Sequence, residues 1–187
     1  MSAPWSSGWW IGAARGLQVA ALVLAPGIAA AADVAPEVGV KAALLYNFAK
    51  FTEWPALGSG DAIVICTVGD DRIGAALVEI VRGHLIGAHP IEIRRTEDSA
   101  RWRLCHMLFI ADDGQRAAIR LDALKTQPVL TVSDRQDFAE SDGIIGLYLE
   151  GGRVRFAINV DTAAESGLRL SSRLLGLARI VRKKRTP

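Results

Sequence analysis

The chain has 187 residues, half of them hydrophobic, with 22 basic side chains against 20 acidic and a formal net charge of +2. A chain of this length supports one ordinary domain with its own core. So even a balance of charge offers no broad field for nucleic acid, which excludes that class of partner.

Residues 1–32 read as a cleavable secretory signal. Arg15 is their single charge, and the apolar run from Leu17 to Ala25 is interrupted only by Gln18. Pro26 and Gly27 break any helix, and Ala30 and Ala32 place small side chains at alternate positions before the cut. The run falls short of the roughly 20 apolar residues that a membrane span needs. The rival reading is a retained anchor, kept open by Trp5, Trp9 and Trp10, which are unusual in a leader. Cleavage leaves a single α/β domain, residues 33–187, with no further transmembrane span and about one net positive charge. In a Gram-negative cell that domain is expected in the periplasm.

The mature part alternates helix and strand signals. Residues 38–54 carry apolar side chains three and four apart (Val40, Ala43, Leu44, Phe48, Phe51), which predicts an amphipathic helix ended by Pro55. Residues 62–68 form a continuous, branched apolar run, the pattern of a strand buried on both faces. Asp70 or Asp71 is placed to cap a helix running to about Arg82, with Gly83 to stop it. A shorter strand follows at 90–94, and residues 102–104 lie near a helix end. Residues 105–111 read as another buried strand, 115–126 as a helix and 129–132 as a strand. Residues 144–149 and 154–158 flank Gly151-Gly152, a hairpin signal. Two helices, near 162–167 and 171–182, finish the chain.

Strands alternating with helices predict a mostly parallel sheet flanked by helices on both faces, made mixed by the closing hairpin. Cys66 lies in the first long strand and Cys105 starts the third. With two cysteines a single intrachain pairing is possible, and two free buried thiols are the alternative. A bridge requires alpha carbons within about 7 Å, so pairing would make the first and third strands neighbours. That is the start of the flavodoxin-like strand order.

In such a sheet Asp70, Asp71, Asp112, Asp113, Ser133 and Asp134 fall at the carboxyl edge, where ligands bind. An acidic cluster beside a hydroxyl suits a hard cation and resembles a receiver-domain phosphoacceptor site. An exported chain lacks the phosphodonor, however, and residues 144–150 lack the lysine that a receiver carries there. Asp at helix caps and turns is the plainer explanation. His84, His89 and His106 do not converge into a zinc set, because Cys105 and His106 point to opposite faces of a strand. Both cysteines sit in or beside apolar strands, unsuited to a catalytic thiolate. No nucleophile-elbow, zincin or phosphate-loop motif is present. The sequence thus predicts neither catalytic residues, nor a bound metal, nor a cofactor. The stripe Tyr46, Phe48, Phe51 and Trp54 is either core or, at Tyr46, an exposed interface. The basic tail (Arg179, Arg182, Lys183, Lys184, Arg185) reads as a solvated terminus, with anionic lipid as its other possible partner.

Several segments together resemble the YfiR family. They are Val40-Lys41-Ala42-Ala43-Leu44-Leu45-Tyr46-Asn47-Phe48-Ala49-Lys50-Phe51-Thr52-Glu53-Trp54-Pro55, Ile65-Cys66-Thr67-Val68-Gly69, Cys105-His106-Met107-Leu108-Phe109-Ile110, Leu130-Thr131-Val132-Ser133-Asp134, Val154-Arg155-Phe156-Ala157-Ile158-Asn159, and Leu170-Ser171-Ser172-Arg173-Leu174-Leu175-Gly176-Leu177-Ala178. The resemblance covers residues 38–181 in the family's order. It implies a periplasmic regulatory protein rather than an enzyme. Its best-understood members bind the periplasmic part of an inner-membrane diguanylate cyclase and hold it inactive, lowering cyclic-di-GMP and restraining biofilm. Cysteine redox state and outer-membrane partners relieve that inhibition. The resemblance further implies a Cys66–Cys105 disulfide and a homodimer. It offers no second cysteine pair here, since no cysteine follows Cys105, and Asp142-Gly143 stands where the family tends to have Gly-Gly. The alternative function is a periplasmic small-molecule-binding module built on the carboxyl edge around Asp70, Asp112 and Ser133. A third reading, a metal-dependent hydrolase, would use the same aspartates.

Overall fold

The structure is a computed structural model. It describes residues 29–183 apart from 56, 70, 113–120 and 142. Most of the leader, Asp70, Asp113, Asp142 and the last four residues therefore lie outside the described residues.

Helix α1 (Ala29–Lys50) begins in an alanine-rich stretch, among the strongest helix formers, and carries Pro36 within it. Ala42, Leu45, Phe48 and Ala49 form its fully buried face. The sequence carried this helix to Trp54, but it stops at Lys50 because side chains take its last carbonyls. The Thr52 hydroxyl donates to Phe48 O at 2.7 Å, and Trp54 Nε1 donates to Ala49 O at 3.3 Å. The chain then extends into β1 (Thr52–Glu53), which pairs antiparallel with β9 (Arg169–Leu170).

The main sheet contains β2 (Ile63–Val68), β3 (Leu85–Ile86), β4 (His89–Arg95), β5 (Met107–Ile110), β6 (Leu130–Ser133), β7 (Ile145–Glu150), β8 (Arg153–Asn159) and β10 (Arg179–Val181). Its order is β10-β8-β7-β6-β5-β2-β4-β3. Strands β4, β2, β5, β6 and β7 are mutually parallel. Counted along the chain from β2, and leaving out the short β3, their spatial order is 2-1-3-4-5, the flavodoxin-like arrangement. The β7–β8 hairpin turns through Gly151 and Gly152, both at positive φ.

Every residue of β2 is buried, because the sheet is covered on both faces. One face packs Ile63, Ile65, Met107, Phe109, Leu130 and Val132 against α1 and α2 (Asp71–Val81). The other packs Val64, Cys66, Val68, Leu108 and Ile110 against Trp102, Leu121, Leu124 and Phe138. Trp102 comes from a 3-10 helix, Ser99–Leu104, whose N-cap Asp98 accepts from Ala100 N. Of the helix expected at 115–126, the described part holds one 3-10 turn, Asp122–Leu124.

The C-terminus departs furthest from expectation. Asn159 caps α4 (Val160–Glu165), accepting from Thr162 N at 3.0 Å. The long helix predicted over 171–182 is only one turn, α5 (Ser172–Leu175), after which the chain becomes β10, parallel to β8. Ser171 caps that turn, but Leu177 is 72% exposed and holds no helical face in place. The open edge of β8 meanwhile offers unpaired backbone groups to an extended chain. The one-turn helix α3 (Phe138–Ser141) was also unforeseen. Its Phe138 ring fills the space over Gly143, where a Cβ would lie 1.9 Å from Phe138 Cε1.

Candidate functional site

Strand β7 pairs with β6 only at Val132↔Ile145 and Ser133↔Gly146, yet it stays paired with β8 out to Glu150↔Arg153. The last four residues of β7 therefore overhang the carboxyl edge of β6 by roughly 13 Å, at about 3.3 Å per residue. Beneath this overhang lies a cavity of about 620 Å³, bounded by α1, the loop after β6, α3, the hairpin and β10.

Its polar lining has five carboxylates (Glu37, Asp112, Asp134, Asp137, Glu140) and three cations (Lys41, Arg135, Arg179). Lys41 is the keystone. Its ammonium lies 2.6 Å from Asp134 Oδ2 and 2.7 Å from Glu37 Oε1. The other Asp134 oxygen accepts the Asp112 N–H at 2.7 Å. Burial by itself would lower the Lys41 pKa, but hydrogen bonds to Asp134 and Glu37 outweigh it and hold the pKa above its ordinary value. A side chain of α1 thus places a positive charge at this carboxylate edge. The Ser133 hydroxyl is buried, donates to Ile110 O at 2.7 Å and accepts from Arg135 N at 3.1 Å. Those bonds fix the loop and commit the hydroxyl hydrogen to a backbone carbonyl. Arg135 stacks over the Phe138 ring at 5.5 Å, and Arg179 over Tyr148 at 5.1 Å.

On the second face of the sheet Cys66, in mid-strand, is joined to Cys105 at the amino end of β5, with Cα atoms 5.8 Å apart. His106 follows. Its Nδ1 accepts the Val64 N–H at 3.1 Å, so the neutral ring carries its proton on Nε2. Burial pushes the His106 pKa down; Asp61 opposes that shift and His89 adds to it. The ring stands edge-on to Trp54 at 5.7 Å and lines a cleft of about 240 Å³. The three histidines do not converge: His84 Nδ1 meets Arg82 O, and His89 Nδ1 meets Asp61 O. In the aromatic stripe Phe48 is fully buried, while Tyr46 is half-buried and contacts His84 and Lys50. Among the basic tail residues, Arg179 pairs with Glu140, Arg182 with Asp161 and Lys183 with Glu165.

The sequence foresaw the edge that holds the larger cavity, and Asp112, Ser133 and Asp134 do meet there. It missed Lys41 and Arg179. The signal for Lys41 was available: it is a lone cation next to Ala42 and four residues before Leu45, on the face that packs against the sheet.

A doubly wound sheet with a closing hairpin, and with clefts at both of its edges, defines a small α/β domain. The chain belongs to the YfiR/HmsC-like family, whose model matches residues 39–179. Membership points to a regulator of diguanylate cyclase signalling, in a family that is generally non-catalytic. One solved structure, a conserved domain protein of Vibrio cholerae O1 biovar El Tor, is similar over 78% of this chain at 13% identity and a TM-score of 0.42. The chain spans 60% of that structure's length, and so remote a likeness carries no argument. Among the described residues no helix is long and apolar enough to cross a membrane.

Proposed function

We propose that this chain is exported by cleavage of residues 1–32, and that residues 33–187 form a periplasmic domain. That domain binds the periplasmic part of an inner-membrane diguanylate cyclase and inhibits it. The observation that carries the reading is the family match across residues 39–179. The mechanism is differential affinity: the domain favours the cyclase's inactive state, and shifts it only as far as its preference between states allows. The protein acts by binding, without a cofactor, and as a homodimer, for which light scattering of the purified mature chain is the check.

The test is intracellular cyclic-di-GMP in the native host, with the gene intact, deleted, or restored with and without its leader. A rise on deletion, reversed only by the exported form, supports the reading. An unchanged level, in a strain shown to express an active cyclase, overturns it. The cavity of about 620 Å³ favours a second reading, a small-molecule-binding module. A thermal shift against a metabolite panel separates the two.

A further inference from the structure

Strand β10 covers the β8 edge with Arg179↔Ala157, Ile180↔Ile158 and Val181↔Asn159 in register. The strand beneath is buried at all three positions. The strand above is not: Arg179 and Ile180 are exposed and Val181 is half-buried. Three residues that bury so little apolar surface are held chiefly by backbone pairing and charge. The charge comes from Glu140 on α3 and from Asp161 and Glu165 on α4, which pair with Arg179, Arg182 and Lys183. Asp161 also accepts the Lys183 backbone N–H at 2.9 Å. Every one of these ion pairs is solvent-exposed. Such pairs are individually weak and weaken further with salt.

The rim of the β8 edge is thus acidic on two separate elements, and a basic extended segment sits in it. We propose that residues 179–183 are an exchangeable strand, and that the β8 edge, read out by Glu140, Asp161 and Glu165, is a docking surface for a basic extended segment of a partner protein. Strand addition supplies main-chain affinity, and the three carboxylates select the charge. Displacement would also withdraw Arg179 from the wall of the larger cavity. The proposal does not depend on which protein the partner is.

Two measurements on the full chain test it. In hydrogen exchange, the amides of residues 179–181 should exchange at least about 100-fold faster than those of residues 145–147, and faster still when salt rises from about 50 mM to about 500 mM. A labelled peptide of sequence Arg-Ile-Val-Arg-Lys should bind R182E/K183E about tenfold more tightly than wild type, because the resident strand is loosened. Adding D161N/E165Q to that variant should abolish the gain, and a Glu-Ile-Val-Glu-Glu peptide should bind none of the three. Protection of residues 179–181 equal to that of β7 overturns the proposal, and this arm needs only wild-type protein. Equal peptide affinity across the three chains overturns it too.

Discussion

Removing the Cys66–Cys105 bridge is the sharpest test of how this domain is held together. The two residues are 39 apart in sequence, and the segment between them contains α2, β3, β4 and the first 3-10 helix. Closing a loop of that size removes denatured-chain entropy worth about 4 kcal/mol in the chain-entropy account. Both cysteines are almost fully buried, Cys66 at 2% and Cys105 at 4% exposure, so truncation also loses packing. C66A/C105A is therefore expected to lose about 4 kcal/mol or slightly more. Against a typical total of about 5–15 kcal/mol, that is a large share. The melting temperature should fall by roughly 8–15 °C, at about 2–4 °C per kcal/mol for a domain of this size. Urea denaturation of oxidised, reduced and doubly substituted protein is the assay. The untethered denatured state is less compact, so the urea dependence should steepen as well as shift. Thiol titration of the unreduced, denatured mature protein should find no free thiols. Two free thiols, or a loss below about 1 kcal/mol on reduction, would refute the reasoning.

Three further outcomes follow from named contacts. Lys41→Met strands the Asp134 and Glu37 carboxylates in a setting where the Lys41 and Asp134 side chains are 14% and 17% exposed. The loss should be roughly 2 kcal/mol, between the worth of exposed and of buried pairs, and a double-mutant cycle with Asp134→Asn should show coupling. Because the folded Lys41 pKa is raised, this contribution is complete below the ordinary lysine value and disappears as pH rises through the folded one. The His106 pKa is instead lowered, so its contribution is present above the ordinary histidine value and is lost as pH falls through the folded one. Denaturation midpoints measured from about pH 7.5 to 5.5 should therefore fall for wild type and flatten for His106→Asn, which keeps an acceptor for Val64 N–H. Asn159→Ala removes the α4 cap and leaves Ala139 O without the donor it has at 2.8 Å. Thermal or urea unfolding should show a loss of about 2–4 kcal/mol.

The interior of the fold was legible because its signals are local and redundant. The continuous apolar run in β2 can be satisfied only by a sheet covered on both faces. The positions of Cys66 and Cys105 suggested the strand order before any contact was known, given that they pair. The parts that escaped depend on distant partners. Thr52–Glu53 is a strand only because Arg169–Leu170 lies beside it, and residues 179–181 leave a plausible helical pattern because the β8 edge competes for their backbone. The site divides in the same way. Asp112, Ser133 and Asp134 announced themselves as strand-end polar residues, whereas Lys41 is tied to this edge by a carboxylate 93 positions away.

The two-stranded ribbon of β1 and β9 has a consequence for when the molecule can finish folding. It joins the residue just beyond the first helix to one near the end of the chain, Thr52 to Leu170, and Ser171 N donates to Phe51 O beside it. A polypeptide made from its amino end cannot close this ribbon until every element from β2 to α4 has been synthesised. The first helix consequently waits through the synthesis of all those elements without the strand that secures its exit. Completion waits for residues 169–171, so the nascent chain stays open and threadable while every strand from β2 to β8 is being made.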